Sequence, residues 1–318
     1  MKKVAVFSCP GLGDGVVSLI LANNLFLNNY DVDLFHDNNF KQISSWVPHV
    51  KIKEFPLENI ESILEKYELI FISYDAASKF IQELIQKGKE LKKDKVIVVN
   101  PSPSKRIGRQ PYYTDTFFDP TISVADNIKM FIKNKLCLEK ATKSCGFVAK
   151  NNLIHRKHLK RVILHPTSGK ASRNWHKCKY IKLALQLKKL GFNPFFIFHS
   201  NDKNQWESLL QSKFIYKDFS NLNELADCLF ESGFMIGNDS GIVHLASALG
   251  IPTLSIFRNI RNSYLWRPGS TYGEVVYPSR LVPNISGFRL RDKKWKDLIS
   301  VRKVLNKFKK IYLKTNVK

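Results

Sequence analysis

The sequence predicts an α/β protein of two doubly wound, Rossmann-like halves. Three observations carry this. Short β-rich runs alternate with helical patterns, the alternation stops over a polar, basic stretch at 138–160, and it then restarts. At 318 residues, with 44% hydrophobic and 25% charged content, the chain is long enough for two cores. Domains of 1–150 and 151–318 follow, with a cleft between them as the natural ligand site.

Met1-Lys2-Lys3 looks like a signal n-region, but the apolar run Val4–Phe7 is too short and breaks at Pro10-Gly11. It reads as the first strand. Further strands are expected at 31–36, 50–55, 69–74 and 95–100, and helices near 15–29, 58–67, 76–93 and 122–136. Val16, Val17, Ile20, Leu21, Leu25 and Phe26 recur at three- and four-residue spacing, which gives the first helix a buried face. The second half opens with a strand at 161–165, a helix at 177–190 closed by Gly191, and a strand at 193–199. Helices at 203–212 and 221–232 come next. A strand, tight turn, small-residue helix and strand then span 234–257. A basic helix over roughly 293–314 ends the chain and is open to packing back on the first domain. No apolar run reaches 18 residues, so no membrane span is expected.

The formal charge of +24 is lopsided. Residues 1–150 hold 21 Lys and Arg against 17 Asp and Glu, whereas residues 151–318 hold 30 against 10. Residues 289–318 alone hold 12 basic and 2 acidic side chains. Such a field concentrates polyanions: nucleic acid, nucleotide-sugars, anionic lipid or phosphorylated glycan. No helix-turn-helix, zinc-finger or RNP-type signature supports nucleic acid. The five cysteines are scattered without a C-x-x-C pair and read as reduced thiols of a cytoplasmic protein.

Ligands of open α/β sheets sit at the carboxyl ends of strands, and three turns there hold the chemistry. In Asn238-Asp239-Ser240-Gly241-Ile-Val-His244, Ser240 and Gly241 would open a helix whose unpaired N–H groups and positive dipole end suit phosphate. Asp239 would accept sugar hydroxyls or cap the helix, and His244 would position the ligand or the turn. In the turn from Cys9 to Val16, Val16 takes the place of the third glycine of a dinucleotide fingerprint, and no P-loop Gly-Lys-Ser/Thr follows. Asp14 there is either a general base or a first-turn acid. Thr167, Ser168, Gly169, Lys170 and Arg173 offer hydroxyls, a tight turn and two cations that suit a diphosphate or form a solvated loop, with Trp175 as anchor. Lys105, Arg106 and Arg109 lie between prolines and would bind an anionic acceptor or form a basic surface loop. Asp31-Val-Asp33 matches a D-x-D metal motif but is better explained by an exposed strand face, and His155, His158 and His165 lack ligand spacing. No metal site is expected.

With these turns in place, the chain resembles the heptosyltransferases of bacterial lipopolysaccharide core synthesis, glycosyltransferase family nine. The resemblance rests on Gly11-Leu-Gly13-Asp14, on Thr167-Ser168 through Arg173-Asn-Trp175, on Asn238 through Pro252, and on Trp266-Arg-Pro-Gly269. It implies the GT-B architecture, with donor bound mainly by the second domain and acceptor by the first. It implies inverting, metal-independent and cofactor-free transfer of heptose from ADP-heptose to a Kdo or heptose residue of an anionic lipopolysaccharide precursor. By resemblance Asp14 is the base; Gly13 in the same turn and the loop cations Lys105, Arg106 and Arg109 are the candidates on the acceptor side. Thr167, Ser168 and Arg173, with Lys170 beside them, hold the diphosphate, while Asp239, Ser240, Gly241 and His244 hold sugar and phosphate. Arg173 stands where the family commonly has Lys, keeping charge but changing geometry. Asp202 only ambiguously matches an acidic residue that contacts the nucleoside. The expected setting is a monomer on the cytoplasmic face of the inner membrane, held peripherally by its basic C-terminal segment. Other readings are a transferase with another nucleotide-sugar or a protein acceptor, and a basic nucleic-acid-binding protein.

Overall fold

A computed structural model describes every residue except 58, 74–77, 92–93, 100–117, 211–212, 220, 285–288 and 317–318. The chain divides into two compact units, Met1–Val148 and Ala149–Lys318.

In the first unit, β1 (Lys2–Phe7), β2 (Tyr30–Phe35), β3 (Lys51–Lys53), β4 (Leu69–Ser73) and β5 (Val96–Val99) form a parallel sheet in the order β3-β2-β1-β4-β5. Parallel strands are covered on both faces, which is why the central runs Val4–Phe7, β4 and β5 are nearly all apolar. One face packs on α2 (Ile60–Lys66) and α3 (Lys79–Leu91), through Phe7, Ile70 and Ile72 against Ile63, Leu84 and Ile85. The other carries α1 (Leu12–Leu27) and α4 (Val124–Asn134), where Phe131 meets Phe71 edge to face at 6.4 Å. The order reverses between β1 and β4, so the turn after β1 lies at a topological switch point.

Two features of this unit depart from the sequence reading. Residues Asn38–Trp46 form a 3-10 segment capped by Asp37 and burying Phe40, Ile43 and Trp46. The expected linker at 138–160 is also much shorter than its polarity suggests. Asn23, Asn24 and Asn28 of α1 reach the backbone of Ser144, Thr142 and Lys140, so an extended polar segment is hydrogen-bonded to the first unit in place of secondary structure. At its other end, 158–160 already belong to the next sheet.

The Asp31–Asp33 strand is not an exposed face. Asp33 is fully buried, and its Oδ2 accepts from Tyr67 Oη and Lys53 Nζ at 2.7 Å each, with Lys3 Nζ at 3.6 Å. Burial raises this carboxyl, and Lys53, Tyr67 and Lys3 more than offset it, leaving it below its ordinary value. Asp31 pairs with Lys51. Both carboxylates are thus occupied by cations.

In the second unit, β6 (His158–His165), β7 (Asn193–Phe198), β8 (Ile215–Asp218), β9 (Ser232–Asn238), β10 (Thr253–Ile256) and β11 (Gly273–Val276) form a parallel sheet in the order β11-β10-β9-β6-β7-β8. Its switch point lies between β6 and β9. One face packs on α5 (Lys177–Lys189), α6 (Lys203–Leu210) and the terminal α12 (Val301–Asn316), and the other on α7 (Leu222–Phe230) and α8 (Gly241–Ala248). The short edge strands β8 and β11 escape a sequence reading because they are brief and half exposed. So does α9 (Ile260–Leu265), capped by Asn259.

The helix expected over 293–314 is three pieces: α10 (Leu290–Lys293), α11 (Trp295–Leu298) and α12. Lys179 Nζ donates to the carbonyls of Lys296, Asp297 and Ile299, satisfying the end of α11, and Ser300 then caps the next helix through Lys303 N–H at 3.2 Å. α12 belongs to the second unit's core, contributing Val304, Phe308 and Ile311.

Candidate functional site

The site is assembled around Asn238, the last residue of β9 and fully buried. Its Oδ1 accepts from Trp175 N–H at 3.0 Å and Tyr180 Oη–H at 3.1 Å, while its Nδ2 donates to Pro166 O at 2.7 Å. One side chain therefore fixes the loop after β6 against the turn after β9, at the sheet's switch point. Trp175 anchors that loop as expected, with its indole N–H on Ile299 O at 3.1 Å.

His165 ends β6 and bridges the same two segments. Its Nδ1 lies 3.2 Å from Ser240 Oγ and its Nε2 3.4 Å from Thr167 Oγ1. Burial drives this imidazole down to about 4, so it is neutral near pH 7, with one ring nitrogen donating and the other accepting. Ser240 thereby spends its hydroxyl on His165, and no side chain caps the start of α8. Val243 N–H returns to Ser240 O at 3.2 Å, and the N–H groups of Gly241 and Ile242, with the positive dipole end, are left to meet an anion.

Asp239 follows, with only 15% of its side chain exposed and Arg173 Nη1 at 3.7 Å from Oδ2. Burial raises its carboxyl, Arg173 pulls it back, and the net position is above the ordinary value. A pocket of about 270 Å³ is lined by Lys170, Ser172, Arg173, Asp239, Phe257, Arg258, Asn259, Asn262 and Asp292. It brings together Lys170, Arg173 and Asp239 of the predicted set. Thr167, Ser240 and Gly241 stand beside it at the switch point, and Ser168 Oγ turns to Asn174 Oδ1 at 2.6 Å. His244 is buried one turn into α8 and pushed down to about 4 by burial, opposed by the hydrogen bond its ring donates to the Trp266 backbone. Asp202 follows β7, the next strand along, and is outside the pocket lining.

Arg258, Asn259, Asn262 and Asp292 are lining residues that sequence reasoning missed. The signal was present only as the carboxyl end of β10, which adjoins β9. In the first unit, Gly11 (φ 117°) opens α1, and Asp14 in its first turn brings Oδ2 to 3.0 Å from the point a Gly11 Cβ would occupy. Gly13 is in the same turn. Lys105, Arg106 and Arg109 lie outside the described residues. Among the described residues, no group of three His, Cys, Asp or Glu is placed to hold a metal ion. No described helix is long and apolar enough to cross a membrane.

The comparisons agree with this layout. Residues 124–275, which contain the whole β6-to-α9 constellation, match the family model of glycosyltransferase family 9 (heptosyltransferase). No curated protein matches. Among solved structures, a family 9 glycosyl transferase from Veillonella parvula superposes with a TM-score of 0.71 at 15% identity, over 99% of this chain and 98% of that one. E. coli ADP-heptose lps heptosyltransferase II gives 0.68 at 14%, covering 100% of both chains. E. coli heptosyltransferase WaaC with ADP gives 0.68 at 12%, over 97% and 99%. The fold is thus that of the GT-B enzymes, and the protein is a glycosyltransferase. Its residues 124–275 are a family 9, heptosyltransferase, segment.

Proposed function

We propose that this chain transfers heptose from ADP-heptose to a Kdo or heptose residue of a lipopolysaccharide core precursor, with inversion and without a metal. The observation that carries the reading is the meeting of Arg173, Asp239 and the uncapped start of α8 at one switch point inside the family 9 segment. In this reading an acceptor hydroxyl attacks the anomeric carbon, the bond to the diphosphate breaks on the opposite face, and Asp14 takes the hydroxyl proton. Charge gathering on the departing diphosphate is met by Arg173, Lys170 and the α8 N–H groups, while Asp239 accepts sugar hydroxyls. Association with the cytoplasmic face of the inner membrane is part of the same proposal.

The test is a donor panel. The purified chain is given ADP-heptose or UDP-hexoses with core saccharides that end in Kdo or heptose, and products are read by mass spectrometry. A heptose-sized mass gain from ADP-heptose alone is expected, and Asp14→Asn should cut turnover at least about a hundredfold without unfolding. Transfer from UDP-hexoses only would replace the donor assignment, and near-normal transfer by Asp14→Asn would remove Asp14 from the mechanism.

A further inference from the structure

His36, immediately after β2, is 1% exposed and holds the turn that carries Asp14. Its Nε2 lies 3.1 Å from Gly11 O, and the Asp37 backbone N–H approaches its Nδ1 at 2.7 Å. A backbone N–H can only donate, so Nδ1 accepts it, with the Asp37 carboxylate Oδ1 farther off at 3.3 Å. Nε2 therefore bears the proton and donates to the Gly11 carbonyl. The ring is wedged against Phe40 at 4.4 Å between centroids. It fits only because residue 15 is glycine: a Cβ there would come within 2.8 Å of Nε2 and 2.6 Å of the Phe40 ring.

Gly11 O also accepts the first hydrogen bond of α1, from Gly15 N–H at 3.0 Å. The imidazole thus grips the carbonyl on which the helix start is hung, three residues before Asp14. The opposite wall is tied as well, since Ser18 Oγ–H donates to Ser8 Oγ at 2.9 Å and Cys9 Sγ–H to Ser73 O at 3.4 Å. We propose that His36, donating from Nε2–H, is a positioning residue that sets the Asp14 carboxylate through the Gly11 carbonyl. The proposal rests on Asp14 being the base.

The test uses the full chain with His36→Leu, which keeps bulk and removes the donor, and His36→Gln, which restores a side-chain N–H. His36→Leu should lower kcat about tenfold or more, with KM for the nucleotide-sugar within about twofold, since the misplacement touches the base and not the donor cradle. His36→Gln should recover most of kcat. A Leu variant with wild-type kcat overturns the proposal, as does a loss shared equally by both variants and by donor KM. The clamp is also read with no substrate at all, by long-range ¹H–¹⁵N NMR of the imidazole near neutral pH. A ring protonated at Nε2 is expected, and one that carries its only proton on Nδ1 overturns it. That readout stands even if the sugar-transfer reading falls.

Discussion

Asn238 Oδ1 accepts the Trp175 backbone N–H at 3.0 Å and so joins the end of β9 to the loop that carries Lys170 and Arg173. Removing the amide strands the buried Trp175 N–H and Pro166 O and leaves Tyr180 Oη–H only the His165 carbonyl, at 3.4 Å. Asn238→Ala is expected to cost about 2–4 kcal/mol of unfolding free energy, measured by urea titration, because orphaned buried polar groups lose their full partner energy. ADP affinity, measured by calorimetry, should fall with it. Tyr180→Phe removes one of the three bonds and should cost only about 1 kcal/mol.

The Arg173–Asp239 pair separates activity from stability. A carboxyl raised by burial is most favourable to the fold when protonated, below its unfolded value, and that contribution is lost as pH rises through the folded value. Near pH 7 the ionised Asp239 therefore works against the fold, only partly relieved by an Arg173 that is 3.7 Å away and 42% exposed. Asp239→Asn should melt no lower than wild type at pH 7 while kcat/KM for the nucleotide-sugar falls about tenfold or more. Arg173→Ala should lower kcat/KM about 10²-fold through loss of charge at the leaving group. A stable, fully active Asp239→Asn would dissociate this carboxylate from the donor.

Acid should open the second unit from its switch point. His165 and His244 are both pushed to about 4 by burial, against an ordinary value of 6.5. Unfolding lets them take up protons, so the stability they lend is complete above pH 6.5 and drains away as pH falls from 6.5 to 4. Each is expected to account for on the order of 1–3 kcal/mol across that window. Thermal melts between pH 7 and 4.5 should show a steeper loss for wild type than for His165→Gln, in which a non-titrating amide replaces the ring.

The doubly wound order and the three strand-end turns were legible because each depends on local pattern: apolar runs, helical spacing and Gly-Asp or Asp-Ser-Gly at strand ends. What escaped depends on partners distant in sequence. Asp33 looks like a solvent-facing acid within its strand, and only Lys53 and Tyr67 make it a buried one. The 138–148 segment looks like a tether until three asparagines of α1 take up its backbone. Asn238 reads as one letter of a turn motif, while its role as the joint of the site comes from Pro166, Trp175 and Tyr180, 58 to 72 residues away. His36 gave no signal at all, because its importance is set by a carbonyl 25 residues earlier.

Membrane association through the C-terminal helix must be electrostatic, because the apolar face of α12 is spent on the core through Val304, Phe308 and Ile311. Deleting α12 would remove a wall of the second unit, and Phe308→Ala alone should cost about 3–5 kcal/mol, so truncation is not a clean test. Several of its cations are also spent. Lys307 and Lys310 hold Glu274, at 2.9 Å and 2.7 Å. Burial acts to raise the Glu274 carboxyl, but these lysines and Tyr272 bring it to about 2. Lys303 donates to Tyr277 O. Arg302 and Lys309, in contrast, are exposed. Reversing both to Glu should leave the melting temperature within about 2 °C, as expected of surface changes. Cosedimentation with phosphatidylglycerol vesicles at low salt should fall several-fold, and wild-type binding should itself vanish above about 0.3 M salt as screening sets in. Unchanged vesicle binding by the double reversal would take the helix out of any membrane role.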